Sequence, residues 1–173
     1  MNTAHARRLR SLTLLAAVLA SGCAPTSLSD GFEESLTRTG GCGDLVLFAV
    51  DEGDEIMLRL DIEGMLPASE EPSTTEHVLP EAGLELVVEV GARVSDATCD
   101  DAIVNGGPQV DHVYTATAGT AWITTRADEF GDPDAAQVDL LLEDVVFEAA
   151  ELGETVVIES FEITDARVGW LAG

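Results

Sequence analysis

The stretch "EIMLRLDI" (Glu55 to Ile62) decides the fold class. Ile56, Leu58, Leu60 and Ile62 fall on one face of an extended chain, and Glu55, Met57, Arg59 and Asp61 on the other. Successive side chains of a strand point to opposite faces, so the pattern predicts a strand with one buried and one solvated side. "LELVVEV" (84–90) repeats it, with Leu84, Leu86, Val88 and Val90 inward and Glu85, Val87 and Glu89 outward. One-sided burial favours antiparallel pairing, because parallel sheets are covered on both faces. "DLVLFAV" (44–50) is apolar on both faces and predicts a more central strand.

Further strands follow at "HVYTATA" (112–118), "TAWITTR" (120–126), "QVDLLLEDVVFEA" (137–149) and "TVVIESFEITDARVGW" (155–170). The last two exceed the usual strand length, which predicts bulges or bends near Glu143-Asp144 and near Ser160 or Asp165. Residues 120–170 read as a three-strand meander. Turn signals such as "DEGDE", "VNGGP", "DEFGDPD" and "ELGE" separate the runs, and no helical pattern alternates with them. The expected fold is all-β: an antiparallel β-sandwich, immunoglobulin-like or related, of about seven to eight strands over residues 42–173. Trp122 and Trp170 are expected to fill its core.

The chain has 33 acidic residues against 8 basic ones, and every basic residue is Arg. All the acids lie after residue 22, whereas Arg7, Arg8 and Arg10 lie before it. Without residues 1–22, five Arg face the same 33 acids, a formal charge of −28. Such a surface repels phosphate backbones and anionic headgroups, which excludes nucleic acid as a partner and excludes a basic-patch membrane contact. It favours solubility, tolerance of salt, and basic or divalent-cation partners.

The opening residues have a different character. Three Arg are followed by an apolar run from Leu12 to Leu19, broken only by Thr13, and then by small Ala20-Ser21-Gly22. This is the layout of a secretory signal peptide over residues 1–22. The run is too short to span a bilayer as a stable helix. "LASGC" (19–23) resembles a lipobox, the processing site of bacterial lipoproteins, although Leu19 stands one place further from the cysteine than the family's usual Leu. The chain as a whole resembles short bacterial lipoproteins that pair a lipobox with a small β-domain. The resemblance implies cleavage before Cys23, acylation of that residue and a lipid bilayer as partner. Because Ala24 rather than Asp follows, it implies the outer membrane. Ala20 and Gly22 also suit an ordinary signal peptidase cutting at the same bond. Residues 23–41, Ser-, Thr- and Gly-rich toward their end, are expected to be a flexible tether, with "FEESL" (32–36) forming at most a helical turn.

Three cysteines are present, Cys23, Cys42 and Cys99. With Cys23 acylated, Cys42 and Cys99 remain as an even pair, and export makes a disulfide between them the expected state. They lack the C-x-x-C spacing of a redox or zinc pair.

No catalytic residue is assigned and no enzymatic activity is expected. There is no G-x-S-x-G elbow and no H-E-x-x-H helix. Asp111 and His112 are adjacent and would point to opposite faces of a strand, and His77 reads as a loop or edge-strand residue. The remaining chemical signal is two acidic turns, Asp51 and Asp54 in "DEGDE" and Asp128, Asp132 and Asp134 in "DEFGDPD". Ca²⁺ prefers such oxygen ligands, but neither turn has EF-hand spacing. Two function classes emerge. The first is a non-catalytic, lipid-anchored envelope protein engaging a protein or polymer. The second is a Ca²⁺- or carbohydrate-binding module.

Overall fold

The computed structural model describes residues 27–43, 45–64, 71–96, 98–99 and 106–169. The strands are β1 (Leu36–Cys42), β2 (Val46–Asp51), β3 (Ile56–Ile62), β4 (Ser73–Val78), β5 (Leu84–Ala92), β6 (Gln109–Ala127), β7 (Ala135–Ala149) and β8 (Glu154–Gly169). All pairings are antiparallel, and the eight strands form one sheet in the order β1-β2-β3-β5-β6-β7-β8, with β4 added on β6. The all-β antiparallel class and the strand number are as expected. The two facing layers are parts of one continuous sheet, curled until its ends nearly meet: Gly43 N–H donates to the Gly169 carbonyl at 3.1 Å.

The curl is built into the long strands. "HVYTATA" and "TAWITTR" are a single strand of 19 residues, and its two halves have different neighbours. Residues up to Thr115 pair with β5, and Thr120 to Thr125 pair with β4. Between them Gly119 adopts φ 115°, a left-handed backbone. A Cβ there would stand 2.6 Å from Val145 Cα and 2.8 Å from the Asp144 carbonyl oxygen, so only glycine permits the approach. Facing it on β7, Asp144 has φ 51°, and on β8 Asp165 has φ 56° beside the register shift opposite Val138 and Leu140. The bends predicted near Glu143-Asp144 and Asp165 are therefore present. Each inserts a residue and inverts the alternation. In β7, Val138, Leu140 and Leu142 are buried before the bend, and Val145, Phe147 and Ala149 after it.

Both halves of the long strands bury their inward residues in one core. It contains Leu47, Leu58, Leu60, Val88, Tyr114, Ile123, Leu140, Phe147 and Ile158. The inward sets of β3 and β5 lie where the alternation placed them. Met57 and Val87, expected on the solvated faces of β3 and β5, are instead buried, Met57 in a small second cluster with Val50, Val94 and Phe48. The segment after β5 folds over that face: Val94 N–H donates to the Asp54 carbonyl at 3.1 Å and Ser95 N–H to Asp54 Oδ1 at 3.2 Å. Cys99, at the end of this flap, is disulfide-bonded to Cys42 at the end of β1.

The expected tether of residues 23–41 needs correction from Leu28 onward. Leu28, Phe32 and Leu36 are 7%, 3% and 8% exposed and belong to the core. Phe32–Ser35 forms a 3-10 turn, and Leu36–Cys42 is a strand pairing with β2. The Ser/Thr/Gly composition concealed this, because three well-spaced apolar anchors are enough to dock a polar segment. The buried hydroxyl of Tyr114 fixes its start, accepting from Leu28 N–H at 3.2 Å and donating to Glu154 Oε2 at 2.6 Å. Trp170, residues 1–22 and Cys23 lie outside the described residues. Among the described residues, no helix is long and apolar enough to cross a membrane.

Candidate functional site

The two acidic turns are closed by protein donors. Asp51 Oδ1 accepts from Glu55 N–H at 2.8 Å and Ile56 N–H at 2.9 Å, and its Oδ2 from Gly53 N–H at 3.2 Å. This carboxylate shapes the β2–β3 hairpin. Asp54 lies 3.6 Å from the Arg38 guanidinium. In the second turn the Asp128 side chain is fully covered. Its Oδ1 accepts from Arg167 Nε at 2.7 Å, and its Oδ2 from Phe130 N–H at 3.1 Å and Asp132 N–H at 3.2 Å. Asp132 Oδ2 takes a second Arg167 N–H at 3.1 Å, and Asp132 Oδ1 takes Asp134 N–H at 3.0 Å. The Arg167 guanidinium also lies 5.7 Å from the ring centroid of Phe130, which is 76% exposed. A turn built this way is a clasp between the β6–β7 loop and β8. Among the described residues, no three His, Cys, Asp or Glu side chains converge as a metal would require.

The clasp has a pH signature. The hydrogen bond from Arg167, and after it the backbone donors, hold the Asp128 carboxyl below its ordinary value. A carboxylate whose pKa is depressed by folding stabilises the fold above its unfolded pKa of about 3.9, and that contribution disappears as pH falls through the folded value. Asp128→Asn is therefore expected to unfold at lower denaturant concentration than wild type at pH 7. The gap should persist down to about pH 4 and close below it. Urea titrations at a series of pH values measure it. A gap independent of pH would contradict the clasp.

The two histidines sit beside separate carboxylates. His77 on β4 donates from Nδ1 to Glu81 Oε2 at 3.0 Å, and His112 Nδ1 on β6 lies 3.7 Å from Glu151 Oε1. Both imidazoles are mostly covered, and His77 lies on an edge strand, one of the two settings its sequence suggests.

One recess lies on the outer face beyond the bend. Its lining includes Thr74 of β4, Trp122 and Thr124 of β6, Asp139 and Leu141 of β7 and Glu162 of β8, around a volume of about 320 Å³. Trp122, expected in the core, stands here half-buried on the outside. Its neighbours Ala121 and Ile123 are the inward residues, which puts Trp122 on the opposite face. The register sets Glu76, Trp122, Leu141 and Glu162 in one row across four strands. Trp122 Nε1–H donates to Glu143 Oε2 at 2.8 Å, and the Thr74 and Thr124 hydroxyls are 2.8 Å apart. Arg126 pairs with Asp139 and Asp165. Burial pushes the Asp139 carboxyl up, but Arg126 and the Asp165 N–H outweigh it and hold it low. Sequence reasoning missed this row, although the alternation of "TAWITTR" alone puts Trp122 and Thr124 outward.

A second, more acidic recess of about 380 Å³ lies at the β3–β5 end, between Asp61, Ile62, Glu63, Gly83, Leu84 and Glu85. Its nearest cation, Arg59, is shared among Asp61, Glu85 and Glu89 at 3.4–3.7 Å. Comparison with family models, curated proteins and solved structures finds no match to this chain.

Proposed function

We propose that this is a non-catalytic lipoprotein of the cell envelope. Acyl chains on Cys23 hold its acidic β-domain beside a membrane, where it engages a protein or polymer partner. The reading is carried by the arginine-apolar-small-cysteine order of residues 7–23 immediately ahead of a folded domain. The disulfide Cys42–Cys99 fits an exported protein. The domain itself has the inverse of a membrane-spanning barrel: its apolar residues face inward, and its outward rows carry Glu76, Glu143 and Glu162. Membrane attachment therefore falls to the lipid.

The corrected start of the domain refines this reading. Only Ala24, Pro25, Thr26 and Ser27 separate Cys23 from Leu28, a reach of roughly 17 Å at full extension. The domain rides close to the bilayer, with the Leu28–Tyr114–Glu154 contact nearest to it. On β6 the Trp122 recess lies beyond the Gly119 bend from that contact. Metabolic labelling with an alkyne fatty acid tests the anchor. Wild type is expected to be labelled and to partition with membranes, and Cys23→Ser to be unlabelled and extracted by aqueous buffer. Equal partitioning of an unlabelled wild type and the variant would refute it.

A further inference from the structure

The β4 edge and the Trp122 recess form one surface, and we infer that it binds an extended, arginine- or lysine-rich polypeptide segment, which adds to the sheet beyond β4. This names a partner class for the interaction reading above and rests on that reading.

Among the described residues, β4 is an edge strand. It pairs with β6 on one side, and among the described residues no strand pairs with its other side. Ser73, Thr74, Thr75, Glu76 and Val78 are all exposed, Val78 at 65%, so the core does not reach beneath the strand. Edges of this kind template the addition of another strand, and proteins usually blunt them with lysine, proline or a bulge. "STTEHV" contains no lysine, proline or bulge, although Pro72 precedes it and Glu76 puts one charge on it, and it pairs in unbroken register from Ser73 to Val78. An incoming strand would gain backbone hydrogen bonds there, the general mode of strand addition.

The neighbouring side chains select the partner. Most donors of the recess are engaged: Trp122 Nε1–H with Glu143, one of the two threonine hydroxyls with the other, and Arg126 with Asp139 and Asp165. The remaining capacity is mostly acceptor. Glu76 is the neighbour of Trp122 in its row, Glu162 lies in the same row beyond Leu141, and neither has a cationic partner among the described residues. An aromatic ring beside one uncompensated carboxylate, with a second in the same row, suits a cation on an apolar stem. Strands are spaced about 4.8 Å apart, so a long basic side chain from a strand beyond β4 spans Glu76 to reach Trp122. A neutral sugar would leave the charge of these carboxylates uncompensated. A second copy would bring its own Glu76 and, without residues 1–22, a formal charge of −28 to the same edge, which repels.

The test titrates a synthetic peptide of alternating Arg and Thr into the full-length protein at about 0.15 M salt, where the Debye length is about 8 Å. A second peptide, N-methylated at alternate backbone nitrogens, keeps the charge and loses strand pairing. The first peptide is expected to bind and to alter the amide signals of β4. N-methylation and Trp122→Leu should each weaken binding about tenfold or more, and Glu162→Gln should weaken it less. Equal binding of both peptides, or no effect of either variant, would reduce the interaction to bulk charge and overturn the assignment. So would a β4-mediated dimer that the peptide disperses, or displacement of the peptide by a neutral oligosaccharide. The Cys23→Ser protein is titrated in parallel, so failure of the anchor leaves the binding result readable. Cross-linking in envelopes that captures a partner through another face would keep the interaction reading and sink this one.

Discussion

Replacing Cys42 and Cys99 together by alanine is expected to lower the stability of the domain by about 4 kcal/mol. The two residues are 57 positions apart, and the loop they close contains β2, β3, β4 and β5. In the chain-entropy account, a crosslink of that span strongly restricts the unfolded ensemble. A second effect is local. The disulfide ends the flap that covers Met57, and Thr98 Oγ1 reaches Met57 Sδ at 3.5 Å. Its loss should loosen the small cluster of Val50, Met57 and Val94 before the main core. Urea denaturation with and without reductant, combined with hydrogen exchange, measures both. An unchanged midpoint on reduction would show that the crosslink contributes nothing to the fold.

Gly119→Ala is expected to be about as damaging, at about 3 kcal/mol or more. The new Cβ meets backbone at Val145 and Asp144 rather than a flexible side-chain end, and φ 115° is unfavourable for any L-residue. Relief requires β6 and β7 to separate at the point where both change direction. Gly131→Ala makes a matched control, with φ 74° and nothing within 4 Å of the added methyl, so that only the left-handed penalty of about 1–2 kcal/mol applies. Thermal unfolding of the two variants distinguishes them. Equal losses would mean that the bend does not depend on close approach of the two strands.

The extent of the fold that could be read from the sequence follows from where period-two alternation was strong. β3 and β5 are regular, and alternation places their inward residues correctly; it misses the burial of outward Val87 and of outward Met57, whose cover comes from a flap that alternation does not describe. The bends at Asp144 and Asp165 were signalled by strands too long to remain straight. In β7 the phase slip from Leu142 to Val145 marks the position. The polar strands were not legible. "LTRTGGC" and "STTEHV" have no apolar stripe, and their pairing is imposed by β2 and β6. Trp122 was misplaced because ring size suggested a core role, whereas its position between Ala121 and Ile123 gave the correct face. The acidic turns looked like cation ligands because Arg167, which closes one of them, lies 35 to 39 positions further along the chain. Tertiary partners at that range leave no local trace.

Intact-mass spectrometry of the native protein extracted from envelopes tests the central claim most directly. The account predicts a chain that begins at Cys23, carries the mass of its acyl groups and is two hydrogens lighter for the Cys42–Cys99 bond. A chain recovered from the medium with an unmodified thiol at residue 23, or one that retains residues 1–22, would contradict it.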